Sequence, residues 1–589
     1  MLEFRFYRLA LLGALVALVV VMFSVVPRPA PVGGDAAPDE FDGAAAAKLA
    51  RQLATIAPER RPGGRGDARA AEMVRAAFAR VKGGETTVET YEGRFDGEGV
   101  RLRNVSLLLP GESDDRLVVA APRDCAEGTC AASSAAATGA LLELVDSFAG
   151  RSHQKTLQFV SLDGSAAGAA GSKRLAAQLE AAPPEAILVL GAIGAAEPRG
   201  PFVVPWSTGP QSTSLGLAES LASAAEDEIG LGSTIPRDTA DALIRLAAPA
   251  SLGDQGPLIA ESLDAVALSA SGDLPLDPGS DRLRDLSPAT LDGFGRAALA
   301  LLLNLDAAPG PPAHGPGAYL PLAGKLIPEW AISLLALALL LPVGLVSLEA
   351  LGRGARDGAR VGPALAWVLA RALPFVAALV LAYALGEAGV LPRPEFPFDP
   401  ARVEPDPGSL LAAALVLAAF AALALLLGRR LPPPPAAGEA TTPAIGSLLF
   451  AALLAVWVAN PFTALLMAPL AHLWLFASMP ELRGRRAIAA VLAAGGLVVP
   501  LLAVAGVATQ LGSGLLAPWD LLLMFTGRHF GPLLAIPLCV LGGCLLAILA
   551  AAGSPRPIPV APARRARVLG PGYAGPGSLG GTGSAVPRR

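Results

Sequence analysis

The sequence predicts two structural classes in one chain: an α/β domain with a mostly parallel sheet covered by helices on both faces, and an all-α multispan membrane domain. Three observations carry this. Of 589 residues, 53% are apolar and 16% charged, with mean hydropathy +0.52, a balance unlike that of disordered or ordinary water-soluble chains. Runs of ~20 apolar residues, the length a helix needs to cross a ~30 Å hydrocarbon core, lie at the start of the chain and after residue 325. Between them, short apolar strands alternate with helical patterns. The formal charge of −4, from 46 bases and 50 acids, is too balanced to suggest a nucleic-acid binder.

Taken in order, Arg5 and Arg8 precede an apolar run at 9–26. This run is longer than a leader peptide's core and no small-x-small site follows it, so residues 1–27 are expected to form an uncleaved anchor. Residues 28–310 are the expected α/β domain. Helices are predicted at 42–57 and 67–81, strands at 87–93, 100–111 and 116–121, then helix 135–148, strand 156–162, helix 166–179 and strand 186–191. Helices at 213–226, 237–247 and 288–305 and a strand at 265–269 continue the alternation, which argues for a sheet buried on both faces. Ligands of such sheets sit beyond the carboxyl ends of the strands, which directs attention to 121–134, 162–168, 190–200 and 269–282. The sequon Asn104-Val105-Ser106 falls inside a strand pattern and is set aside.

Residues 311–325 read as a linker and 326–552 as seven further spans, at 326–348, 362–386, 409–428, 443–459, 462–478, 487–508 and 531–552, making eight in all. The apolar piece at 515–525 is interrupted by Pro518 and Asp520 and reads as re-entrant or interfacial. With both ends inside, the inner segments hold 16 Arg and the short outer loops three, Arg393, Arg402 and Arg528. Basic residues near span ends stay cytoplasmic, so the α/β domain is expected outside. The composition, rich in Ala, Gly, Pro and Arg, suggests a bacterial plasma membrane. The basic tail at 553–589 carries no acid and too little apolar content to pack, and is expected to be disordered.

Within the outer domain, RPGGRGDARAAEMVRAAF (61–78), RNVSLLLPG (103–111), LVVAAPRD (117–124), ATGALLEL (137–144), TLQFVSLDGSAAGAAGS (156–172) and SPATLDGFGRAALALL (287–302) stand in an order that resembles the di-zinc aminopeptidase family over roughly residues 40–307. The resemblance implies a zinc-aminopeptidase-like fold and a site of two zinc ions with a Glu as general base. It also implies that the site is vestigial. Pro122 stands where the family has its first His, leaving Asp124 of the His-x-Asp unit, and Ser133 stands at the bridging Asp. Ser165 and Ala166 replace the paired Glu, Gly191 the next Asp, and the last His falls near Asp277. An anchor, a metal-poor peptidase-like domain and seven further spans resemble the architecture of the attachment subunit of the GPI-anchor transamidase.

Other chemistry is weaker. His153, in the polar stretch RSHQK, and the loop acids Asp273, Asp277 and Asp281 are expected to be solvated. Residues 164–168 read Gly-Ser-Ala-Ala-Gly, not the Gly-x-Ser-x-Gly nucleophile elbow, and no His–carboxylate pair is placed to activate Ser165. Cys125 and Cys130 flank a four-residue loop, where an oxidising compartment would permit a disulfide and two free thiols are the alternative. Cys539 and Cys544 read as packing residues. Arg371, His472 and Asp520 are ionisable groups inside the membrane region and so candidates for function, against snorkelling or pairing for Arg371 and an interhelical hydrogen bond for His472. No cofactor is expected. The expected partners are the bilayer and a membrane or extracytoplasmic protein or peptide, with no nucleic acid. The alternative is an active membrane-bound zinc aminopeptidase with unrecognised ligands.

Overall fold

The computed structural model describes residues 3–34, 38–200, 202–230, 238–314, 317–434 and 440–554; the basic tail past Ser554 lies outside the described residues. The chain opens with α1 (Phe4–Phe23) and β1 (Val26–Pro27). The α/β domain then runs α2 (Gly43–Ile56), α3 (Arg65–Phe78), β2 (Glu85–Phe95), β3 (Glu98–Leu109), β4 (Ser113–Pro122), α4 (Ser134–Phe148), β5 (Lys155–Leu162), α5 (Ala170–Leu179) and β6 (Ala186–Leu190). It ends with β7 (Val203–Val204), α6 (Leu215–Ile229), α7 (Thr239–Ala247), α8 (Gln255–Ala260), β8 (Ala265–Leu268) and α9 (Pro288–Ala307).

Seven strands form one sheet in the order β2-β3-β5-β4-β6-β8-β7. Its centre, β5-β4-β6-β8, is parallel, while β2, β3 and β7 pair antiparallel at the edges. The sheet is therefore mixed, with the predicted parallel arrangement confined to the strands that are buried on both faces. Alternation along β4 divides the core. Leu117, Val119 and Ala121 pack with Ala50, Ala140 and Leu301 of α2, α4 and α9, whereas Val118 and Ala120 pack with Leu175 and Leu258 of α5 and α8. Sequence reading missed β7 and α8, which are too short to show a period.

The predicted helix at 166–179 begins only at Ala170. Gly164, Gly168 and Ala169 take positive φ values of 75, 68 and 52°, and left-handed residues cannot continue a right-handed helix. Residues 164–169 instead make a tight turn at the end of β5, which points two backbone N–H groups toward the neighbouring strand end.

The predicted linker is not merely a connection. It holds β9 (Tyr319–Leu322) and the start of β10 (Lys325–Pro328), and β10 pairs antiparallel with both β9 and β1 in a small sheet. Helices α10 (Glu329–Arg356), α11 (Val361–Leu369), α12 (Leu373–Glu387), α13 (Pro407–Arg430), α14 (Thr441–Ala459), α15 (Pro461–Ala477), α16 (Arg486–Gln510), α17 (Ala517–Thr526) and α18 (Pro532–Ala552) follow. Among the described residues, seven helices are long and apolar enough to cross a membrane, α11 and α12 counting as one rod from Val361 to Glu387. The remaining predicted span, 462–478, is the 17-residue α15, about 25 Å long at 1.5 Å per residue. At ten residues, α17 is too short to cross.

The helix ends sort to two sides. At one side Asn460 caps α15, its Oδ1 accepting from Phe462 and Thr463 N–H, while its Nδ2 donates to Leu246 O at the end of α7. Gln510 at the end of α16 donates to Asp241 of α7 at 2.9 Å. The other ends gather opposite: Gly484 N–H donates to Ala552 O, Thr442 Oγ1 to Ser478 O, and Arg353 pairs with Glu3. The α/β domain therefore sits on the face that the Arg distribution predicts to be outer.

Candidate functional site

The carboxyl ends of β4, β5, β6 and β8 surround a cavity of about 240 Å³, in the position expected for ligands of such a sheet. Pro122, Asp124, Ser133, Ser165, Ala166 and Gly191 all line it, so six residues selected from sequence converge in space. The seventh does not: Asp277 is exposed ahead of a 3-10 turn at Pro278–Ser280. Four residues on, Asp281 reaches the wall instead.

Each of the buried carboxylates at this site is held by protein donors. Asp124 Oδ1 and Oδ2 accept the Ser165 and Ala166 N–H groups at 2.9 and 2.8 Å, the two delivered by the turn after β5. Asp281 accepts Ala132 and Ser133 N–H at 2.7 and 3.0 Å and the Ser133 hydroxyl. Asp273 accepts from Ser251 Oγ, and Asp254 from Ser172 Oγ. Asp273 and Asp281 are thus buried structural acceptors, not the solvated loop acids expected. Burial raises the Asp124 carboxyl to about 6 against the pull of its two N–H donors, and lifts Asp254, Asp273 and Asp281 above the ordinary carboxylate range.

Beneath the cavity lies a charged layer that sequence reading missed. Arg123 is fully buried between Asp67, at 2.8 Å, and Asp163, at 3.3 Å, and also donates to Arg103 O. Arg60, equally buried, donates to Arg123 O, Ala57 O, Thr129 O and Ser134 Oγ, and burial lowers its guanidinium to about 10. These bonds fix the loop between Cys125 and Cys130, which are joined by a disulfide. The sequon Asn104 belongs to the same interior, its Oδ1 accepting from Tyr91 Oη and Asp163 N–H.

The zinc pair implied by the family resemblance does not fit these residues. Among the described residues no group of three or more His, Cys, Asp or Glu is arranged to hold a metal ion. Asp124, Asp254, Asp273 and Asp281 each accept from N–H or O–H donors, and the two nearby sulfurs are bonded to each other. His153 lies elsewhere, buried rather than solvated: its Nδ1–H donates to Lys155 O, and its ring stands edge-on to Phe148.

The intramembrane candidates Arg371, His472 and Asp520 do not line the cavity. Arg371 sits in the 3-10 break at Ala370–Ala372, where Pro374 removes a helical N–H. Its guanidinium stacks 3.6 Å from the Trp367 ring centroid and donates to Trp367 O. His472 Nδ1 and the Tyr7 hydroxyl are hydrogen-bonded at 2.7 Å, tying α15 to α1. Asp520 is buried on α17.

No protein-family model and no curated protein matches the chain. Among solved structures, a glutaminyl cyclase from an Acidobacteriales bacterium is similar at 19% identity and TM-score 0.37, covering 47% of this chain and 99% of its own. The zinc aminopeptidase of Bacillus subtilis is similar at 12% identity and TM-score 0.37, with 44% and 94% covered. The LapA aminopeptidase of Legionella pneumophila stands at 13% and 0.38, with 46% and 74% covered. Likenesses of this degree assign no activity to this chain.

Proposed function

We propose that this chain is a multispan membrane protein whose peptidase-like domain is catalytically inactive and serves to bind a protein or peptide partner or to scaffold a membrane complex. The cavity carries this reading. Where metal chemistry would need imidazoles and free carboxylates, its walls offer Pro122, Ser133, Ser165, Ala166 and Gly191, and Asp124 and Asp281 are engaged with backbone N–H groups. The architecture is similar to that of the GPI-transamidase attachment subunit, and the Arg distribution favours cytoplasmic termini with the α/β domain outside a bacterial plasma membrane.

Two arms test it. The purified full chain, assayed with N-terminal peptide substrates with and without added zinc, should release no amino acid; metal-dependent turnover would favour the alternative, an active zinc aminopeptidase. Partners retained in mild detergent by the wild type should be lost from the cavity-filling Ala166→Trp variant. Identical retention by both would remove the cavity from the binding role.

A further inference from the structure

The cavity has a wall that the α/β domain does not supply. Pro397, Phe398, Asp399 and Arg402 line it, and all four belong to the connection between α12 and α13, part of the membrane domain. This connection is a strap with grips on both sides. Toward the α/β domain, Lys173 Nζ donates to Phe396 O at 2.8 Å. Glu395 lies against Gly168 so closely that a Cβ at 168 would stand 2.7 Å from Glu395 Cβ and 2.9 Å from its carbonyl oxygen. Arg402 reaches the tip of the β2–β3 hairpin, 3.7 Å from Asp96 and 5.2 Å over the Phe95 ring.

Toward the membrane domain, Trp519 Nε1 donates to Val403 O at 2.6 Å and Thr526 Oγ1 to Pro392 O at 3.0 Å. The His529 ring stacks on Phe396 at 3.9 Å while its Nε2–H donates to Pro249 O, so one side chain touches strap and α/β domain together. Phe396 and Phe398 are buried in a single apolar cluster with Leu391, Trp519, Leu523 and Ala250. An outer loop of a membrane protein, free in principle to lie in water, is instead folded into the cleft of the neighbouring domain.

We infer that the strap, residues 391–403, is a built-in occupant of the cleft mouth, and that the cavity is a composite site shared by the two domains. A molecule larger than the cavity enters only when the strap releases. Loading of the cavity and docking of the α/β domain on α12, α13 and α17 are then one linked equilibrium, each altering the other by the same factor. The inference concerns access and does not depend on whether the site lacks metal.

Thiol accessibility in the full chain in detergent tests it. Ala166→Cys places a thiol on the cavity wall, in a chain whose other cysteines are disulfide-bonded or buried in α18; the parent chain supplies the background. Methanethiosulfonate is the small probe and a biotin maleimide the bulky one. Lys173→Met removes one strap hydrogen bond of ~1 kcal/mol and should speed the bulky reagent about fivefold, leaving the small one within about twofold. Gly168→Val, which displaces the strap, should act more strongly. If Ala166→Cys fails to fold, Ser271→Cys, also on the wall, replaces it; if Gly168→Val fails, Lys173→Met decides. Bulky and small reagents accelerated equally, or neither accelerated, would overturn the inference. Activity plays no part in the readout, so a zinc-loaded chain would contradict the proposed function and leave this result standing.

Discussion

Replacing Arg123 by Met would leave Asp67 and Asp163 facing each other in the interior without the guanidinium that both now contact. Breaking a buried ion pair from one side costs ~3–5 kcal/mol, so Arg123→Met should lower the thermal midpoint of the purified chain sharply; an unchanged midpoint would show the layer to be dispensable. Asp124 predicts a pH dependence. Its folded value of about 6 lies above the ~3.9 of an unfolded Asp. Between the two only the folded state keeps the proton, so this group's contribution is fully present below pH ~4 and is lost as pH rises through 6, a change of roughly 3 kcal/mol. Asp124→Asn should flatten that part of the midpoint-against-pH curve, and parallel curves would contradict the assignment. Six cavity residues were legible in sequence because each follows directly on an apolar strand or opens a helix. Asp277 was displaced by four because the loop after β8 has no period to set its register. Arg60 and Arg123 were not legible at all, since their side-chain partners Asp67, Asp163 and Ser134 lie 40 to 74 residues away in the chain.

Among the elements, the packing of the spans turns on small residues where helices come close. Gly446 on α14 faces α10, where a Cβ would stand 2.0 Å from Ser347 Oγ and 3.0 Å from Ser347 Cβ. Gly446→Ala should therefore destabilise the chain by ~1–3 kcal/mol, whereas Gly495→Ala, whose Cβ would meet only Leu473 Cδ1 at 3.6 Å, should be neutral or mildly stabilising. Equal midpoints for the two variants in detergent would argue against this helix contact. Long, strongly patterned elements were readable from sequence: the spans, α4, α9 and the central strands. What escaped was short or made by tertiary pairing. The β9–β10 hairpin looks like a linker until Val26–Pro27 supplies a partner strand, and the start of α5 is set by three left-handed residues that no hydrophobic period records.

For the whole molecule, the α/β domain and the membrane domain are joined by shared clusters. One unites Val21, Leu246, Leu320, Ile332 and Phe462; the other holds the strap. The division into an α/β domain and a set of spans was readable from composition alone, because bilayer-length apolar runs and an alternating α/β pattern have different periods. How the two meet was not, because Asn460, Gln510 and Phe396 carry no signal of their partners. The proposed function requires that the cavity at the head of the sheet hold no zinc. The most direct measurement is the zinc content of the full chain, purified without chelator, saturated with zinc and then dialysed. Well under one zinc ion per chain is expected; two tightly held ions, removable only by a strong chelator, would make the cavity a metal site after all.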